Sequence, residues 1–217
     1  DTMKSDTYHL KVIILAAGKS ERFNGIKLLA KLNSQEQSPA LITHVLQQVS
    51  KSLASYKIEN SEVQIATGDY HQQLSKLINE QCPTHFCSDA SLGLGHTIAQ
   101  SVANIVAKND HTSHIMITLA DQVALVADDY GNLIGQSMLM PDKLICAKAQ
   151  LEIMPPAIFP RSYFSQLMKL SGDKGAKALL HKNKSQLQQV SIPNPVIDID
   201  TREDLNHWQK SHLNLSQ

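Results

Sequence analysis

Short apolar runs alternate with stretches of helical periodicity along the sequence, and this alternation limits the possible folds more than any other feature. Residues 11–18 read Lys-Val-Ile-Ile-Leu-Ala-Ala-Gly, which predicts a buried strand that ends in a glycine turn. Residues 41–55 carry apolar side chains at helical spacing and predict an amphipathic helix. Further strands are predicted at 62–68, 114–121, 143–148 and 196–200, and further helices at 70–80, 97–108, 128–138, 162–170, 176–181 and 202–212. The pattern therefore predicts an α/β fold with a mostly parallel sheet covered by helices on both faces, in a single domain over residues 1–217.

The overall composition narrows the classes of function. The 217 residues include 20 basic and 20 acidic side chains, and this balance argues against a protein that binds nucleic acid or a membrane surface. Three cysteines, an odd number, suit a reducing compartment better than a disulfide framework. Cys82, His85 and Cys87 do not have the spacing of a usual zinc site. No apolar run approaches the ~20 residues that cross a bilayer, so we expect a cytoplasmic protein.

The segment after the first predicted strand, residues 15–29, is the strongest candidate for a binding loop. The tripeptide Gly-Lys-Ser at 18–20 is not part of a Walker A motif, because that motif needs a glycine where the chain has Ile13. The loop also lacks the spaced glycines of a dinucleotide-binding fold. Small residues let the backbone approach a ligand, and Arg22 and Lys27 supply cations that suit phosphate. The spacing alone leaves two interpretations open, a phosphate-binding loop and a tight turn with solvated cations.

Residues 15–29 read Leu-Ala-Ala-Gly-Lys-Ser-Glu-Arg-Phe-Asn-Gly-Ile-Lys-Leu-Leu and resemble the signature of the MobA-like NTP transferases, which include molybdenum-cofactor cytidylyltransferases and guanylyltransferases. The resemblance implies a Rossmann-like three-layer nucleotidyltransferase fold, that of the nucleotide-diphospho-sugar transferases. It also implies that Arg22 and Lys27 are catalytic. The nucleotide-binding residues that it implies in this loop are Leu15, Ala16, Ala17, Gly18 and Ser20. Asn24 stands where the family usually has glycine, and asparagine is the residue that best tolerates a left-handed backbone after glycine.

Two acidic segments resemble further motifs of the same family. Residues 117–122, Ile-Thr-Leu-Ala-Asp-Gln, resemble its Leu-Ala-Asp-Met/Gln-Pro motif. Residues 196–205 resemble its Asp-Ile-Asp-Thr-Pro-Glu-Asp-Leu motif, with Arg202 in place of the proline. The resemblance implies that Asp121, also expected to be catalytic, and Asp200 hold Mg²⁺, a hard cation that binds carboxylate and phosphate oxygens. A helix-capping role for Asp121 stays open as the alternative.

Residues 93–98, Gly-Leu-Gly-His-Thr-Ile, resemble the Gly-Met-Gly-x-Ser-Leu stretch that precedes a helix in the family. Glycines at such a place let a base and ribose approach closely, and the helix N-terminus offers N–H donors. The expected nucleotide contacts here are Gly93, Gly95 and Thr97, together with Gly68 at the end of another predicted strand.

Two more segments resemble the parts of the family that flank the acceptor substrate. They are residues 156–161, Pro-Ala-Ile-Phe-Pro-Arg, and residues 171–180, Ser-Gly-Asp-Lys-Gly-Ala-Lys-Ala-Leu-Leu. The acceptor-binding residues that they imply are Pro156, Asp173, Lys174 and Lys177. The chain departs most from the family pattern between Gln150 and Pro155, where the family has a glycine-rich stretch, and it has Val123 where the family has proline.

From these resemblances we expect a Mg²⁺-dependent nucleotidyltransferase that joins a nucleoside triphosphate to a phosphorylated acceptor and releases pyrophosphate. The Ala-Ala pair at 16–17 favours the cytidylyltransferase branch, so CTP and molybdopterin are the first choice of substrates, and a molybdoenzyme could receive the product. Two alternatives stay open. The acceptor could be a sugar or polyol phosphate, or the chain could bind nucleotide or molybdopterin without catalysis and deliver the cofactor to another enzyme. No nucleic-acid or membrane partner is expected.

Overall fold

The computed structural model describes residues 7–58, 60–108, 111–193 and 197–212. Its strands are β1 (Leu10–Ala16), β2 (Ser61–Thr67), β3 (Thr84–Phe86), β4 (His114–Leu119), β5 (Ile145–Ala149), β6 (Glu152–Pro160) and β7 (Gln188–Ser191). Its helices are α1 (Leu41–Ser55), α2 (His71–Ile78), α3 (Leu94–Ala107), α4 (Ala127–Leu139), α5 (Phe164–Leu167), α6 (Ala176–Lys182) and α7 (Arg202–His212). The strands form one sheet in the order β3-β2-β1-β4-β6-β5-β7, and neighbours run parallel except that β6 is antiparallel to β4 and β5. The prediction of a mostly parallel α/β sheet is therefore confirmed.

Helices cover both faces of this sheet because successive residues of a strand point to opposite sides. Val12 and Ile14 of β1 belong to one hydrophobic core, which they share with residues of α1, α2, α4 and α7. Ile13 and Leu15 belong to a second core on the other face, together with residues of α3, α5 and α6. The continuous apolar run of β1 thus reflects a strand that is buried on both sides, at the centre of three layers.

The bounds of most elements agree with the predictions, and α1 and α7 begin and end at the predicted residues. The strand predicted at 196–200 is wrong, because residues 197–200 have no strand pairing; Val196 lies outside the described residues. The helix predicted at 162–170 is reduced to a 3₁₀ turn and the short α5. The sequence pattern does not predict β3, β6 or β7. Within the described ranges, no helix combines the length and apolar character needed to cross a membrane.

A bulge explains how β6 holds a central place in the sheet despite the adjacent Pro155 and Pro156, because prolines within a strand argue against such a place. Cys146 of β5 pairs with Ala157, whereas Ala147 pairs with Met154, so residues 155 and 156 fall outside the ladder. Proline has no N–H group to donate, and this position does not need one. Because β6 runs antiparallel to β4, the bulge lies near the edge of the sheet where β4 ends.

Burial lowers the pKa of three histidines in the described chain. It is the largest cause of the decrease from the ordinary value of 6.5 for His44, His85 and His114. The ring of His114 lies between the Ser113 hydroxyl at 2.7 Å and the Pro141 carbonyl at 2.8 Å. Unfolding exposes the three rings and returns each pKa to its ordinary value, so the unfolded chain takes up protons that the folded chain does not.

We expect the free energy of unfolding to decrease as the pH falls through about 6.5, because the unfolded state then binds more protons than the folded state. The full contribution of the neutral rings is present above that pH. Urea titrations over a series of pH values measure the slope of stability against pH. The slope should be shallower in His114→Gln than in the wild type, with His181→Gln on the exposed surface of α6 as the matched control. Equal slopes in the wild type and His114→Gln would contradict this expectation.

Candidate functional site

A cavity of about 580 Å³ opens at the edge of the sheet where β1 and β4 end. Four segments form its walls: the loop after β1, the turn that leads into α3, the loop before α6 and the segment before α7. The sequence-predicted residues that line it are Ala17, Gly18, Ser20, Arg22, Lys27, Gly93, Thr97, Asp173 and Asp200. The lining residues that the sequence analysis did not select are Lys19, Glu21, Ala90, Ser91 and Leu94. Ala90 and Ser91 belong to an isolated 3₁₀ turn, which has no periodic pattern by which a sequence could reveal it.

The loop after β1, residues 17–26, is the nucleotide loop of the sequence prediction, and its path requires left-handed residues. Ser20 (φ 53°) and Asn24 (φ 54°) flank a short 3₁₀ turn, and Gly25 follows at φ 140°. Asn24 thus adopts the backbone conformation that made asparagine an acceptable replacement for glycine. Phe23, within the turn, is 1% exposed and packs in the hydrophobic core. The buried ring attaches the polar loop to the body of the protein.

The ammonium group of Lys27 contacts both carboxylates that were predicted to hold a metal ion. Its Nζ lies 2.9 Å from Oδ2 of Asp121 and 3.5 Å from Oδ1 of Asp200. Only 10% of the Lys27 side chain is exposed. A buried ammonium is stable only when opposite charges compensate it, so the three residues act as one electrostatic unit. Residues that are far apart in the sequence meet here.

A second cation and a third carboxylate border this unit. Nη2 of Arg22 lies 2.9 Å from Oδ2 of Asp200, while 73% of the Arg22 side chain remains exposed. Burial raises the pKa of Asp198, the charges of Asp121 and Asp200 raise it further, and Lys27 opposes them. The site therefore concentrates negative charge and offsets it with two cations, one buried and one on the cavity surface.

Asp121 and Asp200 suit a divalent cation that completes its coordination with substrate oxygens. Mg²⁺ in proteins is commonly held by one or two carboxylates together with water and phosphate, rather than by a closed protein cage. Among the described residues, no group of three or more His, Cys, Asp or Glu side chains is placed to hold a metal ion. The two carboxylates fit the open kind of site, and Lys27 contacts one oxygen of each.

Four residues that were predicted to bind nucleotide do not line the cavity: Leu15, Ala16, Gly68 and Gly95. A Cβ atom at Gly68 would lie 2.9 Å from the carbonyl oxygen of Ala17 and 2.9 Å from the Cβ of Ala90. The glycine therefore allows the nucleotide loop and the turn before α3 to pack against each other. The N–H of Gly95 donates to the carbonyl of Gly172 at 2.7 Å. Direct contact of these residues with nucleotide stays a prediction.

The loop before α6, residues 171–175, packs on the N-terminus of α3. The N–H of Gly172 donates to Nδ1 of His96 at 2.9 Å. A Cβ atom at Gly93 would lie 2.5 Å from the carbonyl oxygen of Gly172, so only glycine permits this approach. The packing brings Asp173, a predicted acceptor-binding residue, into the same cavity as the nucleotide loop.

The other predicted acceptor-binding residues do not line this cavity. Pro156 is buried in β6, and Lys174 is exposed beside the cavity wall. Nζ of Lys177 forms an ion pair with Oε2 of Glu152 at 2.7 Å. The structure therefore brings together the predicted phosphate-binding and metal-binding residues, and it leaves the acceptor-binding set dispersed.

Gln122, the neighbour of Asp121, is a buried residue that connects two strands at this edge. Its Nε2 donates to the carbonyl of Pro155 at 2.9 Å. Its Oε1 accepts from the N–H of Leu119 at 3.3 Å and from the hydroxyl of Thr118 at 3.3 Å. One amide side chain thus fastens the end of β4 to the bulge of β6, on the side of the site where an acceptor is expected.

Comparison with known proteins gives a family and a fold. Residues 12–190 match the model of the MobA-like NTP transferase domain family. A search of curated proteins gave no match.

Three solved structures share a similar architecture, and their names describe three different proteins. Rv0371c from Mycobacterium tuberculosis, in complex with manganese, is 15% identical, with 94% of this chain and 98% of that chain covered and a TM-score of 0.72. A CMP:2-keto-3-deoxy-manno-octonic acid synthetase complexed with CTP is 11% identical over 95% and 99% of the two chains, with a TM-score of 0.70. Molybdopterin-guanine dinucleotide biosynthesis protein A from Archaeoglobus fulgidus is 16% identical over 94% and 99%, with a TM-score of 0.64. At these identities the likeness shows the fold alone, and it confirms the predicted three-layer nucleotidyltransferase fold.

Gln122→Ala should lower the free energy of unfolding by about 2–4 kcal/mol, because it leaves buried polar groups without partners and opens a cavity. Urea denaturation measures the change. The matched control is Gln73→Ala on the exposed face of α2, which should change stability by less than about 0.5 kcal/mol. Equal stability of the two variants would contradict a stabilising role of the Gln122 hydrogen bonds between β4 and β6.

Proposed function

This chain belongs to the family of MobA-like NTP transferase domains and is a nucleotidyltransferase, and we propose that it transfers the cytidylyl group of CTP to the phosphate of molybdopterin. In this reaction an oxygen of the acceptor phosphate forms a bond to the α-phosphorus of CTP. The bond from that phosphorus to the oxygen shared with the β-phosphate breaks, and pyrophosphate leaves with the electron pair. The nucleoside triphosphate substrate follows from the family, and the choice of CTP and of molybdopterin is the proposal.

The observation that carries the proposal is the charged unit at one end of the cavity, where Arg22, Lys27 and Asp200 line the cavity. Asp121 does not line it but contacts Lys27. Lys27 and Arg22 lie against Asp121 and Asp200, beside a loop of small residues. The volume of about 580 Å³ falls within the range of small-molecule sites, about 300–1,000 Å³. Cations suit the triphosphate, and the carboxylates suit the divalent cation that accompanies it.

The charged residues and the loop beside them each support one part of the transfer. Ala17 and Gly18 line the cavity without bulky side chains, so phosphate oxygens can reach the N–H groups of the loop. Arg22 and Lys27 would offset the negative charge that develops on the leaving pyrophosphate. Asp121 and Asp200 would hold Mg²⁺, which when bound supplies further charge neutralisation at the triphosphate. No nucleophilic side chain is needed, because phosphoryl chemistry of this kind depends on positioning and electrostatics.

The other end of the cavity suits the nucleoside. Leu94 offers apolar surface there, 37% exposed, and Gly93 and Thr97 lie beside it at the N-terminus of α3. The Ala-Ala pair at 16–17 favours cytidylyl over guanylyl transfer, by resemblance to the two branches of the family. A structure with the same fold holds CTP, which is consistent with this choice of donor.

A sugar or polyol phosphate is the second candidate acceptor, and the hairpin between β5 and β6 favours it. Residues 150–155 replace the glycine-rich stretch that the family has before Pro156, which is the largest departure of the chain from the family pattern. Leu151 at the tip is 89% exposed, and Glu152 pairs with Lys177 instead of leaving that cation to an acceptor. These departures at the hairpin favour an acceptor other than molybdopterin.

The first test measures pyrophosphate release by the purified chain with Mg²⁺, molybdopterin and each of CTP, GTP, ATP and UTP. CTP should give the highest rate. Asp121→Asn should lower that rate by about 10²–10³-fold, because it removes a charge on which the transition state depends. Asp128→Asn, on the exposed first turn of α4, is the matched control and should retain the wild-type rate.

Each other outcome selects a different function. Release with GTP alone would overturn the choice of CTP, and release only with a sugar or polyol phosphate would favour the second acceptor. Full turnover by Asp121→Asn would contradict the role of this carboxylate. A chain that binds CTP but releases no pyrophosphate would be a carrier rather than an enzyme; at 100 times Kd, binding stabilises the fold by about 2.7 kcal/mol.

Lys27→Met should separate the two roles of the buried ammonium. Without nucleotide, the variant should bind Mn²⁺ about tenfold more tightly than the wild type, because no cation competes for Asp121 and Asp200. Its turnover should fall about 10²-fold, because the charge of the leaving group is no longer offset. Mn²⁺ titration followed by electron paramagnetic resonance measures the first effect, with the exposed Lys31→Met as control. Weaker Mn²⁺ binding in Lys27→Met would contradict the competition.

A further inference from the structure

Arg202, the first residue of α7, extends over the outer half of the nucleotide loop. Its Cζ lies 4.9 Å from the centre of the Phe23 ring. Its Nε and Nη2 donate to the carbonyl of Asn24 at 3.4 Å and 3.3 Å. A planar guanidinium can stack on an aromatic face and donate from its edge at the same time, whereas an ammonium has no planar group to stack.

The backbone at Asn24 and Gly25 adopts positive φ angles beneath this guanidinium. Asn24 is left-handed, a conformation that few residues other than glycine adopt without strain. A Cβ atom at Gly25 would lie 3.0 Å from Nη2 of Arg202, so a side chain there would press on the guanidinium. The contact therefore offsets an unfavourable backbone conformation at the point where the loop turns toward Lys27.

Arg202 does not line the cavity that is proposed to bind nucleotide. It lines a separate cavity behind the loop, together with Ile26, Leu29 and Leu205. Arg202 thus lies on the far side of the loop from the proposed triphosphate site. Arg202 can therefore affect the reaction only through its contacts with the loop.

The opposite half of the loop has a comparable attachment. The hydroxyl of Tyr70 donates to the carbonyl of Lys19 at 2.9 Å, and Nζ of Lys19 lies 3.6 Å from Oδ2 of Asp69. Arg22 stands between the two attachments and pairs with Asp200, which lies just before the start of α7. The segment that carries a predicted metal ligand therefore also holds the outer half of the loop.

We infer that Arg202 is a positioning residue of the proposed nucleotidyl transfer, which holds the nucleotide loop so that Arg22 and Lys27 face the triphosphate. The inference rests on the proposed function. Arg202 acts through the Asn24 carbonyl and the Phe23 ring and does not touch the substrate. By linking the loop to the segment of Asp200, it keeps the cations and the carboxylates in a fixed relation.

The first experiment is amide hydrogen exchange on the full chain without ligand, followed in peptides that cover residues 17–26. Arg202→Ala should speed exchange in this segment about fivefold or more, because local opening becomes easier when a contact is lost. Arg161→Ala is the matched control. Its guanidinium likewise lies over a ring, that of Phe164 at 5.8 Å, and donates to the Thr112 carbonyl at 2.7 Å, but at the other end of β4. It should leave exchange in the loop unchanged.

The second experiment compares kinetics in two backgrounds, the wild type and Asn24→Gly. In the wild type, Arg202→Ala should raise KM for the nucleotide about tenfold, the usual effect of losing a hydrogen bond from a charged group, and leave KM for the acceptor unchanged. In Asn24→Gly the left-handed backbone has no steric cost, so Arg202→Ala should raise KM only about threefold. Arg202→Lys should restore part of the loss, and Arg161→Ala should have the kinetics of the wild type.

The outcomes separate this inference from the proposed function. An equal rise of KM in the wild-type and Asn24→Gly backgrounds would mean that Arg202 acts on the nucleotide directly and would overturn a role through the loop. Unchanged exchange and unchanged KM in Arg202→Ala would overturn the inference altogether. A wild-type chain that releases no pyrophosphate from any nucleotide would refute the proposed function, and hydrogen exchange would still decide whether Arg202 holds the loop.

Discussion

The contact of one buried ammonium group with two carboxylates is the interaction on which the rest of the site depends. Lys27 is 10% exposed and contacts Asp121 and Asp200, so its burial is tolerated only while both partners stay in place. Each partner belongs to a different part of the fold. The loop after β1, the end of β4 and the segment before α7 are therefore held together by charge as well as by packing. A substitution of Lys27, Asp121 or Asp200 therefore changes the electrostatic energy of the other two side chains.

The order of the strands makes this contact possible. β1 and β4 are parallel neighbours, so their carboxyl ends lie side by side at one edge of the sheet. The buried Gln122 fixes the end of β4 to β6, and the core position of Phe23 fixes the loop that follows β1. The charged groups thus rest on rigid elements, which suits chemistry that depends on positioning rather than on a reactive side chain.

The structure groups the residues expected to bind the nucleotide more closely than those expected to bind the acceptor. Cations, carboxylates and small residues line one cavity, which is the arrangement that the proposed binding of a triphosphate needs. Of the residues expected to bind the acceptor, Pro156 of β6 and Lys177 of α6 do not line the cavity, and Lys177 is paired with Glu152. A triphosphate can be recognised by backbone N–H groups and cations, whereas recognition of an acceptor depends on individual side chains. Membership of the family therefore defines the reaction and leaves the acceptor to experiment.

The sequence by itself determined the α/β class, the bounds of α1 and α7, and the loop, because hydrophobic periodicity and turn residues act over a few neighbouring positions. It did not reveal β6, since prolines are compatible with a central strand only where a bulge in the ladder receives them. It also made residues 197–200 look like a strand, although the burial of Ile199 comes from packing without strand pairing. Resemblance selected Lys27, Asp121 and Asp200 separately. Only the tertiary structure placed them in contact and put Arg202 behind the loop, because the energy of charged groups depends on distance and burial, and neither is encoded in local sequence spacing.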